Sequence, residues 1–307
     1  MTDLISSAAN PVVKRMRLLG DRKHRRREGA FVVEGIQPVW QAVEAGADVE
    51  LLVVAPTLLG PRAAELVAGR EAAGTRVARV TGELFARLSA RDGPSGVAAI
   101  VRARVPGLAG LRVTPGSVFV ALHEVGNPGN LGTIIRTADA AGAAGVVLVG
   151  AAADPFDPVA VRASMGALFA VPVARAADAA EFFAWAAGAG VSVLTTSAKA
   201  GRSFWAAGYP RPLALLLGAE GAGLPDDVLG AGDVQVRIPM TGTAESLNLA
   251  VAAGLLLYQA RKPDLTGQPG APAMAERQRT DVPGKLVPLP VLPCRPRRRG
   301  DDRLEAE

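Results

Sequence analysis

Residues 127–139 read Asn127-Pro-Gly-Asn130-Leu-Gly-Thr-Ile-Ile-Arg136-Thr-Ala-Asp139. The apolar run Ser117–Leu122 comes before them and reads as a strand, and Leu131–Ala141 carries helical spacing. The stretch is therefore a strand-to-helix turn. Its two asparagines suit a turn and a helix N-cap. Arg136 follows Asn130 by about a turn and a half, near a helix N-terminus already favourable to phosphate. A well-capped turn with no further role would explain the same residues.

The alternation extends on both sides. Gly145–Val149, Ala170–Ala174, Val191–Thr195, Pro212–Leu217 and Val234–Ile238 read as strands, and Val159–Leu168, Ala177–Ala187 and Ser246–Ala260 as helices. The strands lack polar alternation, which predicts burial on both faces and a mostly parallel sheet. Upstream, Val12–Leu19, Ile36–Ala45 and Pro61–Ala73 read as helices, and Ala30–Glu34, Glu50–Ala55, Arg76–Val80 and Gly96–Arg102 as strands. This predicts a small α/β domain over residues 1–104. Two prolines and three glycines make residues 105–116 a linker, with the main domain over 117–262. Residues 263–307, rich in Gly and Pro and without aromatics, read as a disordered tail.

Two more turns carry polar residues. In Leu215-Leu-Leu-Gly218-Ala-Glu220-Gly-Ala-Gly223-Leu-Pro225 a strand ends among glycines that hold one carboxylate. Glycine there permits close approach of a ligand to the backbone, although a plain strand-to-helix turn is equally compatible. In Ile238-Pro-Met240-Thr-Gly-Thr-Ala-Glu-Ser246-Leu247-Asn248 a polar loop leads into the last helix. N-capping explains Ser246 but not both Ser246 and Asn248. All three segments fall at the C-terminal ends of strands, where α/β sheets bind ligands.

Of the 307 residues 49% are apolar and 21% charged, which allows a sizeable core and excludes global disorder. The single Cys294 excludes an internal disulfide framework, and with only His24 and His123 no metal site is expected. The longest uncharged apolar run, Ala140–Ala153, is too short to span a membrane. The N-terminus has no secretory pattern, so a cytoplasmic setting is expected. The net charge of +5 is uneven: residues 1–30 carry eight Lys/Arg against three Asp/Glu. Arg22, Lys23, Arg25, Arg26 and Arg27 form the densest part, an expected RNA contact, with a solvated helix as the alternative.

N-x-x-N-x-G-x-x-x-R, then L-G-x-E-G-x-G, then I-P-M with S-L-N resembles the SpoU (TrmH-like) branch of the SPOUT RNA 2′-O-methyltransferases. The intervening Arg162-Ala-Ser-Met-Gly-Ala167 resembles that branch too. The resemblance covers about residues 117–260. It implies an α/β fold with a SPOUT-type trefoil-knotted, mostly parallel sheet, behind a small α/β substrate-binding domain, and a homodimer. The implied activity is methyl transfer from S-adenosyl-L-methionine to a ribose 2′-hydroxyl, without metal. The implied cofactor residues are Thr195, Leu217, Gly218, Ile238, Met240 and Leu247. The implied catalytic residues are Asn130, Arg136, Glu220, Ser246 and Asn248. Arg136 would clamp phosphate and stabilise the developing alkoxide, since Arg is too basic to serve readily as a base. Glu220 would orient Asn130 or Arg136, and Ser246 and Asn248 would hold the ribose or a neighbouring phosphate.

The RNA partner is expected to be rRNA, most readily 23S rRNA, with tRNA as the runner-up. A non-catalytic RNA-binding or ribosome assembly factor would not require the whole polar set. A nicotinamide enzyme would require the G-x-G-x-x-G fingerprint, which the Gly218–Gly223 turn does not have.

Overall fold

The computed structural model describes residues 4–89 and 93–266. The front lobe runs α1 (Pro11–Leu18), α2 (Arg22–Glu28), β1 (Ala30–Glu34), α3 (Ile36–Glu44), β2 (Val49–Val54), α4 (Pro61–Ala72), β3 (Arg76–Arg79), α5 (Gly82–Leu88) and β4 (Val97–Arg102). The second lobe runs β5 (Val118–His123), α6 (Pro128–Ala140), β6 (Gly145–Val149), α7 (Pro158–Ser164), β7 (Val173–Ala176), α8 (Ala179–Gly188), β8 (Ser192–Thr196), β9 (Leu213–Leu217), α9 (Asp226–Gly230), β10 (Val234–Val236) and α10 (Leu249–Leu265).

The front sheet has the order β1-β4-β2-β3, with β4 antiparallel to both neighbours and β2 parallel to β3. The second sheet has the order β10-β8-β9-β5-β6-β7, and every pairing in it is parallel. Its central strands β5, β6 and β9 are almost wholly apolar because both faces are covered. Val118, Val120 and Leu122 of β5 pack with α6 and α10, whereas Phe119 and Ala121 pack on the α8 side. Each such fully buried Val, Leu or Phe contributes about 1.5–3 kcal/mol.

The two lobes share packing. Phe31 of β1 lies 4.5 Å from Phe156 and 6.1 Å from Phe169, ring centre to ring centre. Val161 of α7 belongs to the front lobe's core. Segment 105–116, read as a linker, is packed down on the second lobe. Leu108 and Leu111 are buried under the second sheet, and the Arg175 N–H donates to Pro106 O at 3.0 Å.

Several elements differ from expectation. α2, α5 and α9 carry no long apolar period and were not anticipated. The helix expected over Val159–Leu168 stops at Ser164, because Met165 and Gly166 take left-handed φ values of 52° and 94°. The space that a Cβ at residue 166 would need is filled by Gln41 of α3. The last helix starts at Leu249 and runs through Pro263 to Leu265. The expected tail is therefore helical over 263–265, and its remainder from 267 lies outside the described residues.

Candidate active site

The strand-to-helix turn forms as its residues predict. Asn127 is the N-cap of α6, its Oδ1 accepting from the N–H of Gly129 (2.8 Å) and of Asn130 (3.1 Å), with Pro128 at the first position. Gly132 lets α6 sit directly on α7: a Cβ there would lie 2.3 Å from Ala160 O.

Asn130 is the meeting point of three segments. Its Nδ2 donates to Glu220, which sits in the turn after β9. Its Oδ1 accepts from Asn248 Nδ2 at 3.1 Å. Asn248, not Ser246, caps α10, its Oδ1 accepting from the N–H of Ala250 (2.9 Å) and Val251 (3.4 Å). Capping thus accounts for Asn248 and leaves Ser246 exposed in the loop, the reverse of the expectation. The Glu220 turn is fixed by glycine. A Cβ on Gly218 would lie 2.1 Å from Gly223 C, and Gly221 and Gly223 take φ of 81° and 70°.

Arg136, roughly one and two-thirds turns beyond Asn130, is exposed. It has no side-chain hydrogen bond or ion pair among the described residues. It is not joined to the Asn130 network. Glu220 therefore orients Asn130, not Arg136.

The expected cofactor residues divide into two groups. Leu217 and Gly218 end β9, with half-buried Ile238 and exposed Met240 and Leu247 on the loop into α10. Thr195 is fully buried, its Oγ1 donating to Leu229 O at 3.1 Å, so its side chain is spent in the sheet and only its backbone is left for a ligand. The strand continues one residue further, to Thr196.

Arg25 is a correction. It is only 3% exposed and is spent inside the protein. Its guanidinium meets Asp154 at 2.9 Å and Asp157 at 3.2 Å and donates to the carbonyls of Leu19 and Gly20. It pins α2 to the loop before α7 and is not available to RNA. Arg22, Lys23, Arg26 and Arg27 are exposed as expected. Sequence reading also missed Gln41, whose amide, turned to donate, reaches Met165 O (3.0 Å) and Gly166 O (3.2 Å). No local pattern announces such a contact between lobes.

The residues present fit an adenosine-bearing sulfonium. Among the described residues the backbone groups of 239–247 make no backbone hydrogen bond. They leave donors and acceptors free beside Ile238, Met240 and Leu247. No group of three or more His, Cys, Asp or Glu among the described residues has metal-binding geometry, and no helix there is long and apolar enough to cross a membrane.

Residues 117–258 match the model of the SpoU rRNA Methylase family, and residues 10–99 match the MRM3-like substrate binding domain. The chain is 35% identical over 257 residues to the 23S rRNA (uridine(2479)-2′-O)-methyltransferase of Streptomyces viridochromogenes, covering 82% of this chain and 89% of that one. It is 32% identical to the 23S rRNA (guanosine(2553)-2′-O)-methyltransferase RlmP of Bacillus subtilis, over 84% of this chain and 98% of RlmP. The crystal structure of an AdoMet-bound rRNA methyltransferase from Sinorhizobium meliloti superposes with a TM-score of 0.78 at 39% identity, covering 85% and 98% of the two chains.

Proposed function

The chain belongs to the SpoU rRNA methylase family, and on that premise we propose that it methylates a ribose 2′-hydroxyl of 23S rRNA using S-adenosylmethionine. The observation that carries this reading is the linkage Glu220–Asn130–Asn248, which ties three strand-end turns into one polar site. A pure RNA-binding factor needs no such linkage.

When bound, the cofactor supplies a methyl group already activated by positive charge on sulfur. The protein must position the ribose oxygen and ease loss of its proton. Leu217, Gly218, Ile238, Met240 and Leu247 hold the cofactor through apolar contact and free backbone groups. Glu220 and Asn248 fix the Asn130 amide, whose second N–H remains for the ribose. Ser246 contributes a hydroxyl at the same loop. Arg136, unengaged and cationic, holds the adjacent phosphate and stabilises the developing alkoxide.

Arg22, Lys23, Arg26 and Arg27 of the front lobe engage RNA phosphates. A trefoil-knotted path is part of this reading by family membership, and the strand order β10-β8-β9-β5-β6-β7 is compatible with it. A homodimer is supported by the exposed apolar stripe of α10, Val251, Leu255 and Tyr258. The cytoplasm, where ribosomal RNA is found, is the setting this reading requires.

The test is tritium transfer from labelled S-adenosylmethionine to 23S rRNA and to tRNA, followed by mapping of 2′-O-methyl sites. Label in 23S rRNA alone is expected. Label in tRNA alone would replace the substrate, and no label in either would refute the activity.

A further inference from the structure

Arg175, the third residue of β7, lies half-buried at the pole of the sheet that carries Asn130. Its Nη1 donates to Gly150 O at 3.1 Å, just past β6. The loop that follows is tied to the start of the active-site turn, because the Ala153 N–H donates to Val125 O at 2.7 Å. The same loop carries Asp154 and Asp157, on which Arg25 pins α2.

That pin decides what the rest of α2 presents. At 100° per residue, Arg22 and Arg26 fall on one flank of Arg25, and Lys23 and Arg27 on the face opposite it. Arg27 is engaged by Glu28 at 3.8 Å and by His24 Nδ1 at 3.0 Å. Arg22 and Arg26 are exposed and make no side-chain hydrogen bond or ion pair among the described residues. They lie close enough to Arg175 that, after burial, their charges are the main influence lowering its basicity, with Asp154 opposing. Asp154 and Asp157 are already bound by Arg25, while the Glu124 side chain lies against Gly150. Arg175 and α2 are thus both tied to the 150–157 loop, and Arg22, Arg26 and Arg175 carry their charges there without an ion pair of their own among the described residues, an arrangement that a phosphate would relieve.

We propose that Arg22, Arg26 and Arg175 together form a phosphodiester site, shared by the two lobes, that grips the substrate RNA near the ribose to be methylated. This rests on the reading that the protein methylates RNA. β7 stands two strands from β5, roughly 10 Å at the usual spacing. The gripped phosphate thus belongs to the same short stretch of RNA as the reacting ribose.

The test compares wild type, R175Q, R22Q/R26Q and the triple variant for binding of a 23S rRNA transcript across a salt series. R175Q and R22Q/R26Q are each expected to weaken binding about tenfold. Each is also expected to reduce the salt slope by about one. The triple variant should lose less than the product of the two, because both halves hold the same phosphate. R175K should retain most of the affinity, and S-adenosylmethionine affinity should not change in any variant. Should R175Q lose stability with its Gly150 contact, R175M, which keeps the apolar stem without the charge, takes its place in the cycle with R22Q/R26Q. Unchanged affinity and slope in R22Q/R26Q, or losses that simply multiply, overturn the shared site. Absence of methyl transfer by the wild type would instead overturn the reading beneath it.

Discussion

Asn130 has one amide acceptor and two donors. Asn248 occupies the acceptor and Glu220 one donor, so the side chain has a single orientation and one N–H to offer. Arg136 contrasts with it: exposed, unpaired among the described residues, and free to move onto a phosphate. Arg136→Ala is therefore expected to cut methyl transfer by about 10²–10³ in kcat, the cost of losing one charge-stabilising group. Affinity for S-adenosylmethionine, measured by calorimetry, should stay within a few-fold. A variant with near-normal turnover would remove Arg136 from the chemistry. Asn130, Glu220 and Asn248 were legible in the sequence because each falls at a strand-end turn with recognisable glycine or asparagine chemistry. The burial of Arg25 and of the Thr195 side chain was not legible, because burial depends on partners distant in the chain and position in a motif or a charge cluster does not report it.

α2 shows why an element can be invisible in sequence. Its seven residues, Arg22–Glu28, contain no apolar side chain, so no hydrophobic period marks it. It is fixed instead by the Asp21 cap, by Gly29 at φ 60° as its left-handed stop, and by the buried Arg25. Arg25→Gln should cost about 3 kcal/mol, near the low end for breaking a buried ion pair, because Asp154 and Asp157 would lose their partner. Arg27→Gln, on an exposed side chain of the same helix, should change stability by less than about 0.5 kcal/mol. Urea denaturation of the two variants separates the cases; equal, small losses would show that the pin contributes little. The parallel sheet, by contrast, was legible, since its central strands β5, β6 and β9 are apolar runs bounded by turns. Its helix ends were less so: Pro263 lies inside α10, where sequence rules place a stop, and the helix is held there by tertiary contacts. Arg211 and Arg261 both pair with buried Asp264, at 2.7 and 3.0 Å.

Across the whole molecule, apolar surface is buried in both lobes and between them, which leaves few large apolar side chains exposed. Four of those among the described residues, Leu265 included, fall on α10. Val251, Leu255 and Tyr258 of α10 are 51%, 42% and 47% exposed and stand at i, i+4 and i+7, so they form one continuous stripe. Their opposite neighbours on α10, including Leu256, Leu257 and Ala253, fill the core. An amphipathic helix would carry polar groups on its outer face; this one carries apolar groups on both. A second copy of the chain would cover the outer stripe by a self-complementary contact. V251E/L255E is therefore expected to sediment as a monomer where the wild type sediments as a dimer. Both side chains are already exposed in the single chain, so thermal unfolding of the variant should stay cooperative and methyl transfer should report only the consequence of separation. A wild type that is monomeric at micromolar concentration, or a variant that remains dimeric, would remove α10 as the contact.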